Sequence, residues 1–194
     1  MNTGILLLWG IWDTLYQRCT RLRYIRKGEN IFRVVLLSYR GESLLTSDDM
    51  QIKTGDLIVK LHIHNYLFAC LCRGVKDETR IVLLLRRHIV QSLPQLALYL
   101  HSLPEIDQIK GIVGTTMLYK GVEPLGFSCS DVPMNWFFRY KRWYLRLMIR
   151  IIHPQGRKRV QRWDQQRPLK RVYMSKEELF RRYLPLEEIK ETSQ

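Results

Sequence analysis

The sequence predicts an α+β domain: one small mixed or antiparallel sheet packed with several helices, plus a basic amphipathic C-terminal helix. Three observations carry this. Strand-like and helix-like segments are both present, but without the regular alternation that builds a doubly wound sheet. The segment "DLIVKLHIHN" (56–65) alternates with the period of a strand. The segment "NWFFRYKRWYLRLMIRIIH" (135–153) carries an apolar face at helical spacing, with arginines opposite. At 194 residues and 46% apolar composition, the chain has the material for one sizeable core. It reads as a single domain over 1–194, in which 134–172 form a strongly basic, aromatic-rich helix and connector.

In chain order, Ile5, Leu8, Trp9, Trp12, Leu15, Tyr16, Cys19 and Leu22 recur at spacings of three and four. They predict a helix that buries this face and leaves Asp13, Gln17, Arg18 and Arg21 outside. "IFRVVLLSY" (31–39), rich in β-branched and aromatic residues, is a strand. "RGES" is a turn, and "LLTSDDMQIKTGD" a connection or short strand. In "DLIVKLHIHN", Leu57, Val59, Leu61 and Ile63 point one way and Ile58, Lys60, His62 and His64 the other. Two helices follow: one through "RIVLLLRRHIVQ", the other capped by Ser92 with Pro94 in its first turn and closed by Pro104. "IKGIVGTTML" is a strand, "YKGVEP" a turn and "LGFSC" its expected hairpin partner. The basic helix after Pro133 stops at "HPQG", and Ser175-x-x-Glu178 is the capping box of a short final helix.

The net charge of +14 points to an anionic partner. Twelve basic residues stand against the single acid Asp164 between Met134 and Arg171, so this stretch, about a fifth of the chain, holds eleven of the fourteen charges. Cys19, Cys70, Cys72 and Cys129 form no paired framework and read as free buried thiols of a reducing compartment. The apolar run Ile5–Trp12 has no basic residue before it and no small-residue cleavage site after it, so no secretory signal is expected. It is also far short of the ~20 residues of a spanning helix. The expected location is the cytoplasm.

On a helix, Trp136, Phe137, Tyr140, Trp143, Tyr144, Leu147, Met148 and Ile151 form one face, and Arg139, Arg142, Arg146 and Arg150 a stripe on the other side. A membrane span is excluded, because each Arg or Lys near the bilayer centre costs roughly 2.5–3.5 kcal/mol. The pattern fits a helix lying in the bilayer interface, aromatics at the headgroup boundary and guanidinium groups on anionic lipid. The competing account is an ordinary core helix whose aromatic face packs on the sheet. Aromatics interleaved with arginine also suit single-stranded nucleic acid, but no helix-turn-helix, zinc-finger or RNP-type signature accompanies them.

Lys60, His62, His64 and Asn65 are the residues best suited to chemistry. His62 and His64 share a strand face, so both imidazoles can reach one metal or phosphate. A metal needs a third ligand that no local spacing supplies, so no metal and no cofactor are called. Two histidines on a hydrogen-bonded sheet face are the plainer account. Gly114, Thr115 and Thr116 let backbone amides approach an anion but lack the lysine and spacing of a P-loop. Cys129 has no base beside it.

The phrases "GDLIVKLHIHN", "SLPQLALYLHSLP", "IKGIVGTTMLYKGVEPLGF" and "MSKEELFRRY" resemble the YkoP-like domain of Bacillus-type bacteria, over roughly Trp9 to Tyr183. That domain occurs alone or behind a polysaccharide deacetylase domain. The resemblance implies a context, cell-envelope glycan or glycolipid metabolism, and no mechanism. Its recurring residues map to Gly55, Asp56, Leu61, His62, Asn65, Gly114, Thr115, Gly121, Gly126 and Phe127. "TSDDM" (46–50) looks superficially like the metal-binding T-F-D-D-G of the deacetylases, but His62, His64, His88, His101 and His153 never fall four apart, as its partner motif requires. The chain is not a deacetylase.

The resulting expectation is an accessory protein, docked on the inner face of the membrane through Trp136, Phe137, Tyr140, Trp143 and the Arg139, Arg142, Arg146, Arg150 stripe. Anionic lipid is the expected partner, with an envelope-synthesis enzyme as a second and nucleic acid disfavoured. The alternative is a small hydrolase or transferase for a phosphorylated or acylated substrate, with His62 or His64 as acid–base group or metal ligand and Asp56 orienting it.

Overall fold

The computed structural model describes residues 3–75, 77–133, 135–152 and 168–185. Their elements are α1 (Thr3–Thr20), β1 (Arg23–Tyr24), β2 (Phe32–Ser38), β3 (Leu44–Leu45), β4 (Gln51–Ile52), β5 (Leu57–Ile63), α2 (Asn65–Leu71), α3 (Glu78–His101), β6 (Ile109–Thr116), β7 (Ser128–Asp131), α4 (Trp136–Ile152), β8 (Lys170–Ser175) and α5 (Lys176–Tyr183). The main sheet is mixed and six-stranded, in the order β1-β2-β5-β6-β8-β7; β3 and β4 form a separate two-stranded sheet. Only β5 and β6 run parallel; the other neighbours are antiparallel. The fold is therefore α+β, as the irregular order of segments predicts.

The alternation along β5 sorts the two faces. Val59 and Leu61 meet the larger core, which α3 seals with Leu93, Leu96, Ala97 and Leu100 and α5 with Leu179. Ile58 points the other way, into a smaller cluster with Tyr39, Val113 and Tyr173, closed by Leu44 and Ile52 of the β3–β4 hairpin. Further along this second face the apolar residues give way to charge. Arg33 pairs across from His62, Val35 from Lys60, and Thr115 from Arg171.

Three expectations fail here. The segment around Ser92 does not start a new helix: α3 runs unbroken from Glu78 to His101 with Pro94 inside it. Ser92 is spent elsewhere, its hydroxyl accepting from Ile31 N–H and its carbonyl from the Asn30 amide. The four fully buried residues around Pro94 hold the helix together where a proline normally costs about 3 kcal/mol. Next, "LGFSC" does not form a hairpin with β6. β8 lies between them, paired with β6 through Gly111–Thr116 and with β7 through Ser128–Asp131. A Cβ on Gly111 would run into the Met174 carbonyl, so the glycine permits that close pairing. The basic connector thus ends in a central strand. Finally, α1 is rotated from the expected face: Trp9 and Leu22 are buried and Arg18 and Arg21 exposed as predicted, but Asp13 is buried too, and Leu8, Trp12 and Leu15 are exposed.

Ser175 is the N-cap as predicted, its Oγ accepting from Glu178 N–H at 2.9 Å, while the Glu178 carboxylate accepts from Arg181 and Arg182 and does not return to Ser175. The "HPQG" stop, the Arg150 side chain and most of the basic connector lie outside the described residues.

Candidate functional site

The rotation of α1 has a cause in charge. Asp13 receives two hydrogen bonds from Arg33, Nη2 to Oδ1 at 2.8 Å and Nη1 to Oδ2 at 3.0 Å, and one from His64 Nε2 to Oδ2 at 3.0 Å. All three side chains are buried. Arg33 comes from β2, and His64 from the residue between β5 and α2, so the triad ties helix to sheet. Burial by itself would raise the Asp13 carboxyl; the hydrogen bonds from His64 and Arg33 outweigh it and hold the group below its ordinary value. The Tyr24 ring stands edge-on to His64 and over the Arg33 guanidinium. Gly10 lets α1 approach α2, since a Cβ there would lie 3.1 Å from the Tyr66 ring.

His62 and His64, though on one side of the strand, are not brought to one task. His64 is committed to Asp13, whereas His62 faces a cavity. Asp56 is at the other end of β5, where its carboxylate accepts from Lys53 N–H. Six residues of strand separate it from His62, about 20 Å. No group of three His, Cys, Asp or Glu that could hold a metal ion occurs among the described residues.

The cavity, about 320 Å³, rounds the carboxyl ends of β5 and β6. Its polar wall is Lys60 and His62 from β5, Thr115 from β6 and Lys141 from α4; its apolar wall includes Phe68, Leu85, Ile89, Leu125 and Phe127. Among the described residues lining it there is no aspartate or glutamate. Burial, with Lys141, Lys60 and Arg33 adding repulsion, drives the His62 imidazole down to about 3, so it is neutral near pH 7. Burial also drives the Lys141 ammonium down to about 7, helped by Lys60 and Arg171, and lowers Lys60, helped by Arg171. Among the described residues, neither lysine has a hydrogen-bond or ion-pair partner. Lys60 and His62 were legible from the strand. Asp13, Arg33 and Lys141 were missed as site residues, although Asp13, the only acid before Glu29, was a signal.

α4 turns its predicted faces the opposite way from a core helix. Trp136 is 79% and Trp143 57% exposed, and Phe137, Tyr140 and Leu147 are exposed with them. The side toward the sheet carries Phe138, Lys141, Leu145 and the half-buried Arg142 and Arg146, while Arg139 is exposed. Together with Leu7, Leu8, Ile11, Trp12 and Leu15 of α1, the molecule presents two exposed apolar helix faces. Trp12 of α1 and Phe137 and Tyr140 of α4 also line the cavity, which places the two helices side by side. Among the described residues, no helix is long and apolar enough to cross a membrane. Of the cysteines, Cys72 is buried as expected, whereas Cys19 and Cys70 are exposed.

Comparison with known proteins agrees with the phrases in the sequence. The model of the YkoP domain matches residues 2–183. The chain is 35% identical over 140 residues to an uncharacterized protein, YkoP, of Bacillus subtilis (strain 168), covering 72% of this chain and 76% of that one. No solved structure matches. With the match spanning nearly every described element from α1 to α5, the chain belongs to the YkoP domain family.

Proposed function

We propose that this protein is a non-catalytic accessory factor that docks on an anionic membrane surface through the exposed faces of α1 and α4. The observation that carries the reading is that both helices leave their large apolar side chains outside. A water-exposed patch of this kind is normally an interaction surface. Charge favours lipid as the occupant: the exposed Arg139 flanks the aromatic stripe of α4, and the sequence between Met134 and Arg171 carries a net +11, of which Lys141, Arg142, Arg146 and Arg171 turn inward. Each basic residue at an anionic leaflet adds about 1 kcal/mol, and the aromatic belt supplies attraction that salt does not screen. The inner face of the cytoplasmic membrane is the surface proposed. The setting, envelope glycan or glycolipid metabolism, comes from the family resemblance.

Flotation with phosphatidylglycerol-containing and purely zwitterionic vesicles, at low and high salt, tests this. Binding to the anionic vesicles that partly survives high salt is expected. Trp136→Ala with Trp143→Ala weakens it while leaving the melting temperature within a few degrees, because both rings are more than half exposed. No binding, or unchanged binding with a large melting loss, refutes the reading. Complete loss of binding in salt, with nucleic acid co-purifying, would assign the basic surface to nucleic acid.

A further inference from the structure

We propose that the cavity beneath α4 is a binding site for a phosphate monoester carried on a single apolar chain, with Lys60 and Lys141 taking the headgroup. The proposal rests on the membrane reading for how such a ligand arrives, and not for whether it binds.

The cavity lining is of two kinds. Lys60, Lys141, His62 and Thr115 supply ammonium groups, an imidazole and a hydroxyl, beside an Arg33 guanidinium that is already paired with Asp13, and no described acid lines the cavity. Phe68, Leu85, Ile89, Leu125 and Phe127 give apolar surface suited to a hydrocarbon chain. A free inorganic anion would leave that wall unused, and an apolar ligand without a headgroup would cover the half-buried lysines without pairing them.

The number of cations argues for a phosphate monoester over a carboxylate. Lys60 and Lys141 repel one another, and both feel Arg171, itself buried against the Tyr39 ring. One negative charge compensates one lysine; a phosphate monoester carries about −1.5 to −2 near pH 7 and compensates both. Partial burial of unpaired cations has a cost, and an anion arriving there lowers it as well as making new hydrogen bonds. The volume, about 320 Å³, is at the small end of the 300–1,000 Å³ typical of ligand sites, with room for one chain. Trp12, Phe137 and Tyr140 line the cavity and are also exposed on the apolar surface, so a chain leaving a bilayer meets the cavity wall there.

Calorimetric titration of the full chain with monomeric dodecyl phosphate, inorganic phosphate and laurate, without vesicles, tests the site. Saturable one-to-one binding of dodecyl phosphate is expected, with the other two probes at least tenfold weaker. Lys60→Met and Lys141→Met each weaken dodecyl phosphate by roughly tenfold or more, the scale of one charge-assisted hydrogen bond. Lys141→Met melts no lower than the parent, because it removes an uncompensated cation; a merely structural lysine would lower the melting point. No saturable binding of dodecyl phosphate, or affinity unchanged in both variants, overturns the proposal. Equal binding of inorganic phosphate removes the chain from it, and equal binding of laurate removes the phosphate. Dodecyl phosphate bound by a protein that fails to float supports this site while refuting membrane docking.

Discussion

Asp13→Ala removes the acceptor for three hydrogen bonds and leaves Arg33, 3% exposed, without its counter-charge. Breaking a buried pair from one side costs about 3–5 kcal/mol, because the remaining charge stays desolvated. In a chain of this size each kcal/mol lowers the melting temperature by about 2–4 °C, so a fall of about 6–20 °C is the upper range. The structure sets a limit on that figure. α1 buries Trp9 against Ala69 but exposes Leu7, Leu8, Ile11, Trp12 and Leu15, so few apolar contacts hold it. Once the triad is broken the helix can leave, Arg33 regains water, and the loss stops at the docking free energy of α1. Urea unfolding should therefore show a deficit below the full pair penalty, with amide exchange accelerating across Thr3–Thr20 and hardly changing in α3. Asp13→Leu with Arg33→Met should recover much of the loss, because a matched apolar pair leaves no buried charge. An Asp13→Ala protein within 0.5 kcal/mol of the parent, roughly the size of an ordinary surface change, with α1 as protected as before, would refute the idea that charge holds this helix.

Two further outcomes follow from the titrating groups. The Asp13 carboxyl is held below its ordinary value, and so is Glu178, where bonds from Arg182 and Arg181 outweigh the burial that would raise it. In both cases the unfolded chain binds more protons, so their stabilisation is present above about pH 4 and is lost as the pH falls through the folded values. Unfolding free energy measured from pH 6 down to pH 3 should drop, and Asp13→Asn should flatten that drop; a slope unchanged in the variant contradicts the assignment. Lys141, at about 7, is mostly neutral at pH 8, with Lys60, Arg171 and His62 as its charged or titratable neighbours. Pairing with a phosphate monoester raises it, so dodecyl phosphate binding at pH 8 should take up close to one proton, seen as an enthalpy that depends on the buffer. Buffer-independent enthalpy at that pH counts against Lys141 as the headgroup ligand.

The sequence made legible those elements whose local pattern agrees with their tertiary place. The period-two alternation of β5 separates Val59 and Leu61 from Ile58, Lys60 and His62, and both faces are where the pattern puts them. Ser175 announces α5 because an N-cap bond, here to Glu178 N–H, is satisfied within four residues. β8 hid because Lys170 and Arg171 open it directly after a basic stretch, and because both its faces are buried, Val172 and Met174 on one and Arg171 and Tyr173 on the other, so no polar–apolar alternation marks it. α3 looked like two helices because Ser92 and Pro94 together imitate a helix start, while the partners that override the signal, Asn30 and Ile31, are some sixty residues away. α1 was read with the wrong rotation because amphipathicity puts every apolar residue inward by default. Arg33 and His64, distant in sequence, draw Asp13 into the buried side of that helix beside Trp9.

That rotation links the two proposals physically. A helix that buries its apolar face gains stability from water exclusion and has nothing left to offer a membrane. Here α1 is fixed by one ion triad and Trp9, and α4 turns Lys141, Arg142 and Leu145 toward the sheet, so the apolar surface of both stays available. The cost is a cavity roof that leaves two lysines without counter-charge. An anionic ligand and an anionic bilayer would each relieve one part of this arrangement: the first would neutralise Lys60 and Lys141, the second would cover Trp136, Trp143, Leu8 and Ile11. Because Trp12, Phe137 and Tyr140 belong to both surfaces, ligand chains and bilayer chains meet the same rings. Occupancy of the cavity should therefore alter how these rings contact lipid, and this coupling is reciprocal in free energy.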